Sequence, residues 1–176
     1  MGMVPRPIET NVIGKKYVFR NKMNEQGEVV RNKARLVCKG YSQQEGIDYD
    51  ETYALVARIE TMRLFLVDAT QKKFKVYQMD VKLAFLNREI DEEVYIEQPK
   101  GCPLIDDKDI ICRLKKSLYG LKQAPKTWYA SLDKHLTKLG YSKGMAHSNL
   151  YWEKIDDGLM ILVIFVDDII FGGTHD

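Results

Sequence analysis

The chain has 176 residues, 45% of them hydrophobic and 30% charged, with three cysteines and a formal net charge of +2. This is ordinary globular usage, long enough for one domain with its own core, and it excludes collagen-like, fibrous and disordered classes. The longest apolar run, Leu159 to Val166, falls well short of the ~18 residues of a spanning helix, and Met1 to Thr10 has no apolar signal-peptide core. Cys38, Cys102 and Cys112 are odd in number and widely spaced, so they suggest no disulfide framework. The expectation is an intracellular chain in a reducing compartment, with no membrane partner and no secretion signal.

Met1 to Ile13, with Pro5 and Pro7, reads as an irregular lead-in. Lys16 to Arg20 and Val29 to Val37 read as two strands joined by the turn Asn24-Glu25-Gln26-Gly27, which makes a basic hairpin. Lys15 to Lys39 carries eight basic residues against two acids, a net charge of +6. Ser42 to Asp50 is a polar loop. Ile59, Met62, Leu66 and Ala69 recur at helical spacing, with Phe65 beside them, and Gln71-Lys72-Lys73 closes that helix.

Phe74 to Val81 alternates as a strand and contains Asp80 near its end. Val94 to Glu97 and Ile110 to Leu114 are further short strands. The stretch Glu89 to Asp109 is acidic, at −6, and Arg113 to Lys138 is basic again, at +6. Ala124-Pro125 opens a second helix, along which Trp128, Leu132, Leu136 and Leu139 share a face until Gly140 stops it. Asn149 to Glu153 and Leu159 to Val166 flank the turn Ile155-Asp156-Asp157-Gly158. Strands and helices mix without strict alternation, which favours an α+β fold.

Chemistry concentrates at Phe165-Val166-Asp167-Asp168-Ile169-Ile170-Phe171. Two adjacent carboxylates interrupt an apolar β-type run, and burying even one unpaired carboxylate is costly. A hairpin with the acids in its tight turn explains the pattern structurally. The same hairpin could present them to Mg²⁺ or Mn²⁺, which prefer hard oxygen ligands. Asp80 at a strand end would supply the carboxylate from a second strand that two-metal phosphoryl transfer requires. Ser117 to Pro125, with Gly120, Lys122 and Gln123, is a glycine-bearing loop that runs into a helix. It reads either as an ordinary loop and cap or as a cradle for a sugar or phosphate. The two basic stretches could meet a polyanion, or they could be solvated faces that offset the acidic one. His135, His147, His175 and the cysteines show no zinc spacing. His135 reads as a helix-surface residue, and Trp128 and Tyr129 read as core.

In order along the chain stand V-P-R-P, N-V-I-G, R-N-K-A-R-L-V, K-G-Y-S-Q, G-I-D-Y-D-E-T, V-A-R-I-E, Y-Q-M-D-V-K-L-A-F-L-N, E-E-V-Y-I-E-Q-P-K-G, R-L-K-K-S-L-Y-G-L-K-Q-A-P-K-T-W-Y and F-V-D-D-I-I-F-G. With these strings the chain resembles the reverse transcriptase of copia-type LTR retrotransposons from about Val4 to Thr174. The resemblance implies a right-hand polymerase with fingers, a ferredoxin-like palm core on an antiparallel sheet, and no thumb. It implies one partial domain over 1–176. Residues 15–70 would be mostly fingers, 71–90 and 140–176 palm core, and 91–139 a mixture.

The resemblance further implies that Asp80, Asp167 and Asp168 are the catalytic carboxylates. Together with the Val81 carbonyl they would hold two Mg²⁺ or Mn²⁺ ions. Lys33 and Arg35 would grip the incoming dNTP, Phe85 would be the steric gate against ribose, and Gln123 would lie against the nucleotide sugar. The implied partners are an RNA or DNA template with its primer, and the implied setting is a cytoplasmic virus-like particle or the nucleus. Oligomeric state is left open. The expected activity is RNA-directed DNA polymerisation by a fragment of a Pol polyprotein. The alternative is a non-catalytic, truncated relic that at most binds nucleic acid through its basic stretches. Departures from the family pattern include Leu55 where proline is usual, Phe165 for tyrosine, Arg88 after Asn87, and Asp68 within the first helix.

Overall fold

A computed structural model describes residues 1–52, 58–98, 109–156 and 158–174, with Asn87 described by its backbone alone. The expectations that rest on Ala54 to Ala57, Cys102, Asp157 and His175 lie outside the described residues, as do Asp106, Asp107 and Lys108 of the acidic stretch. The fold is α+β, mostly sheet with two α-helices among the described residues. In chain order the elements are β1 (Gly2–Pro5), β2 (Val12–Ile13), β3 (Lys15–Met23), β4 (Val29–Cys38), α1 (Ile59–Lys72), β5 (Lys75–Asp80), β6 (Tyr95–Ile96), β7 (Ile110–Arg113), α2 (Ala124–Lys138), β8 (Ser142–Lys143), β9 (Leu150–Ile155), β10 (Gly158–Phe165) and β11 (Asp168–Gly173). The chain divides into two compact units. The first is Met1–Thr52 with Phe85–Thr127, and the second is Tyr53–Ala84 with Trp128–Asp176. Among the described residues no helix is long and apolar enough to cross a membrane.

The first unit contains a four-stranded sheet in the order β1-β7-β6-β2 and the separate β3-β4 ribbon. The expected irregular lead-in instead forms strands. Gly2 to Pro5 pair antiparallel with Ile110 to Arg113, and Val12-Ile13 run parallel to Tyr95-Ile96. Pro5 is tolerated because it ends an edge strand, where a missing N–H breaks no interior ladder. Ile13, Val94, Ile96, Cys112, Leu114, Leu118, Leu121 and Ala124 form the core, with Phe85, Leu86 and Ile90 packed against it. Cys38 belongs to this core. Burial pushes its thiol up to about 11, against a smaller opposing pull from Lys15, so it is a protonated packing residue and a poor nucleophile.

The second unit is built on an antiparallel sheet in the order β5-β11-β10-β9-β8. Its central strand is the apolar run Gly158 to Phe165, and successive side chains of that strand serve opposite faces. Val163 packs with Phe65 of α1, joined by Ile161, Ile170 and Leu150. Tyr151 is opposite Leu162 in the register and so lies on the other face, where its hydroxyl donates to Asp133 of α2 at 2.5 Å. The buried stripe of α1 is Thr61, Phe65 and Ala69, whereas Ile59 and Leu66 face solvent. Thr61 can be buried because its hydroxyl is hydrogen-bonded to His147 Nδ1 at 3.0 Å. Asp68, unusual in such a helix, pairs with Lys72 one turn later at 2.9 Å. On α2, Trp128, Leu132 and Leu136 are buried at four-residue spacing, while His135 and, just past the helix, Leu139 are exposed.

Candidate functional site

Asp80 ends β5 and Asp168 begins β11, and the two are direct partners in the antiparallel register. Asp168 is also the partner of Phe165, so Val166 and Asp167 form a two-residue turn that closes the β10–β11 hairpin. Such turns need a positive φ at their first central residue, a place that favours glycine. Here it is Val166, at φ +58°. The sequence therefore places a β-branched residue in a left-handed conformation beside the acids, which stores backbone strain at this point.

The carbonyls of both turn residues are occupied. The Trp128 indole N–H donates to Val166 O at 2.7 Å, and the Val81 N–H donates to Asp167 O at 2.8 Å. Asp80, Val81, Asp167 and Asp168 thus come together at one end of one sheet. Asp80 is exposed and the other two acids are half-buried. The Asp168 carboxylate accepts from the Gln78 amide at 3.1 Å. Among the described residues no three His, Cys, Asp or Glu side chains converge as a ready cation cage. By donor type and backbone placement the three carboxylates fit a hard divalent cation, with side-chain rotation left to complete the cluster.

The first unit holds the other four residues singled out from the sequence. Register pairs Lys22 with Arg31, Arg20 with Lys33, Val18 with Arg35 and Lys16 with Val37. Paired residues share a face, so Lys16, Arg20, Lys22, Arg31, Lys33 and Arg35 make one side of the ribbon cationic. The opposite side carries Tyr17 and Phe19, stacked at 6.0 Å, with Ala34, Leu36 and Cys38.

Arg35 lies over the Tyr119 ring at 5.5 Å, and Phe85 meets that ring edge-on at 5.3 Å. Two expected nucleotide residues, Arg35 and Phe85, therefore both meet the ring of Tyr119, which sequence reasoning passed over. The signal was its place just before Gly120, whose φ is +90°. Gln123 is fully buried. Its amide accepts from Gln43 Nε2 at 2.9 Å and donates to the Asp48 carbonyl at 3.0 Å. The Asp48 carboxylate in turn accepts from Asn11 at 2.6 Å and from the Gln44 N–H at 2.8 Å. The structure thus brings Gln123 into a buried network that holds the 43–48 loop. Lys122 donates to the Tyr49 hydroxyl at 2.8 Å.

The family profile described as "Reverse transcriptase (RNA-dependent DNA polymerase)" matches residues 1–176. The chain is 37% identical over 170 residues to a "Retrovirus-related Pol polyprotein from transposon RE2" of Arabidopsis thaliana, covering 97% of this chain and 12% of that protein. It is 40% identical over 159 residues to a "Retrovirus-related Pol polyprotein from transposon TNT 1-94" of Nicotiana tabacum, covering 90% of this chain and 12% of that protein. A "Truncated transposon Ty1-A Gag-Pol polyprotein" of Saccharomyces cerevisiae is 30% identical over 164 residues, covering 90% of this chain and 12% of that protein. The chain therefore spans about an eighth of the length of these curated relatives. No solved structure matches it.

Proposed function

We propose, from the premise that this chain belongs to the reverse transcriptase (RNA-dependent DNA polymerase) family, that it carries the nucleotidyl-transfer centre of a copia-type Pol polyprotein. The observation that carries the reading is the register pairing of Asp80 with Asp168 beside a turn that contains Asp167. Reverse transcriptases as a family use divalent metals, a nucleic-acid template and deoxynucleoside triphosphates. In this reading the second unit is palm, the β3–β4 ribbon belongs to the fingers, and the chain acts as one partial polymerase domain.

Asp80, Asp167, Asp168 and the Val81 carbonyl would hold the cations. When bound, Mg²⁺ or Mn²⁺ would lower the pKa of a primer 3′-hydroxyl and offset charge that builds on the phosphoryl group. Lys33 and Arg35 would supply positive charge for the triphosphate. Phe85, held edge-on by Tyr119, presents an apolar wall against which a ribose 2′-hydroxyl would be unsatisfied. Gln123 acts through the Asp48 and Gln43 network, keeping the Tyr119 loop in place. The overall step is attack of the primer oxygen on the α-phosphorus with departure of pyrophosphate.

The test is single-nucleotide extension of a primer on an RNA template, with Asp80→Asn and Asp167→Asn alongside. Extension by the parent that both variants lose supports the reading. A parent that is folded by circular dichroism and binds the primed template, yet never extends it, contradicts it. That second outcome would favour nucleic-acid binding without transfer.

A further inference from the structure

A two-residue hairpin turn leaves the carbonyls of both turn residues outside the strand ladder, and buried carbonyls require partners from elsewhere. In the β10–β11 hairpin the Asp167 carbonyl is taken by the Val81 N–H at 2.8 Å, and the Val166 carbonyl by the Trp128 indole at 2.7 Å. The turn is thus clamped from the end of β5 and from α2. Trp128 itself is 6% exposed and lies in one buried stripe with Leu132 and Leu136, so the helix fixes the donor in space. Any large apolar side chain could fill that stripe, whereas only the indole adds an N–H. What it holds is Val166 at φ +58°, a conformation that valine leaves when free to do so.

We propose that Trp128 is a positioning residue whose indole N–H locks the strained Val166–Asp167 peptide and thereby sets the backbone that carries the Asp167 carboxylate. The inference rests on the proposed function for its catalytic meaning, but the lock itself can be read without any metal. Removing the donor lets Val166 relax toward negative φ. The Asp167 peptide then rotates, the Val81 N–H loses a well-placed acceptor, and the carboxylate loses its fixed base.

The test replaces Trp128 with 3-benzothienylalanine, which exchanges the indole N–H for sulfur at nearly constant shape, with Trp128→Phe as a simpler companion. Each is made in the parent and in a Val166→Gly background, and folding is followed by circular dichroism. Two quantities are read on the full chain: the amide exchange rate of Val81 by NMR, and the affinity for Mn²⁺ by electron paramagnetic resonance. Loss of one neutral hydrogen bond should speed Val81 exchange about fivefold and weaken Mn²⁺ by a similar factor. Glycine reaches positive φ without strain, so both losses should shrink in the Val166→Gly background.

A Val81 amide as protected without the indole N–H as with it would overturn the proposal. So would losses of equal size in both backgrounds, since these would make Trp128 a packing residue only. If the parent takes up no Mn²⁺ while Val81 shows the expected pattern, the cation reading fails and the lock stands.

Discussion

At Gly120, φ is +90° and an added Cβ would collide with the Cys38 carbonyl and come within 2.7 Å of Val37 Cγ1. That bare position lets the chain turn so that the Tyr119 carbonyl accepts the Cys38 N–H at 2.7 Å while its ring meets both Arg35 and Phe85. Gly120→Ala should therefore lower stability by about 2 kcal/mol or more, from left-handed strain and the collision together, seen as a fall in the denaturant midpoint. An unchanged midpoint would contradict the backbone role given to this glycine. A second residue-scale prediction concerns Asp133. Burial opposes its ionisation, but the Tyr151 hydroxyl and Lys143 ammonium outweigh burial and hold its carboxyl below the ordinary 3.8. A depressed carboxylate adds stability that is present above the ordinary value and lost as pH falls through the lower folded one. Asp133→Asn should flatten the acid limb of a stability–pH curve, and a variant with an unaltered limb would refute the assignment. Tyr151, pushed upward mainly by burial and then by Asp133, keeps its proton, so its contribution fades only as pH rises above its ordinary 10.0.

At the scale of elements, α1 is closed by Lys73, the residue after its last turn, which is left-handed at φ +58° while the Phe74 N–H reaches back to the Ala69 carbonyl at 2.8 Å. This is a Schellman closure with a lysine where glycine fits best. Lys73→Gly should raise the thermal midpoint, by up to about 1 kcal/mol of added stability, and a lower midpoint would show that the closure does not govern this helix end. The elements legible in the sequence are those whose partners are near in the chain. The β3–β4 ribbon was announced by Asn24 to Gly27, and Gly27 takes φ +82° there. The β10–β11 hairpin was announced by two acids inside an apolar run. What was hidden depends on distant partners. β1 becomes a strand only because Ile110 to Arg113 offer it a ladder. The apolar period in α1 suggested Ile59 and Leu66 as an inner face, yet Thr61 is buried in their place because His147 satisfies its hydroxyl. Gln123 stands in a stretch that reads either as a loop and cap or as a cradle, and its burial is set by Gln43 and Asp48, which are remote in sequence. The tie from Trp128 to Val166 is invisible for the same reason.

At the scale of the whole molecule, a net charge of +2 conceals a ribbon face on which six cations are aligned. A surface of this kind should bind single-stranded nucleic acid by counterion release, with log K falling linearly against log salt. Lys33→Ala with Arg35→Ala should reduce that slope by roughly 0.7 for each phosphate contact removed. A slope equal to the parent's would place the nucleic-acid contacts elsewhere. The central claim, that the end of the sheet carrying Asp80, Asp167 and Asp168 is the cation site, is open to a direct spectroscopic measurement. Substoichiometric Mn²⁺ added to the isotope-labelled chain broadens the amide signals nearest to where it binds. Selective loss of the Val81, Asp167 and Asp168 signals is the expected result, abolished by Asp167→Asn. Broadening centred instead on the acidic segment around Glu92 and Glu93, and indifferent to Asp167→Asn, would contradict it.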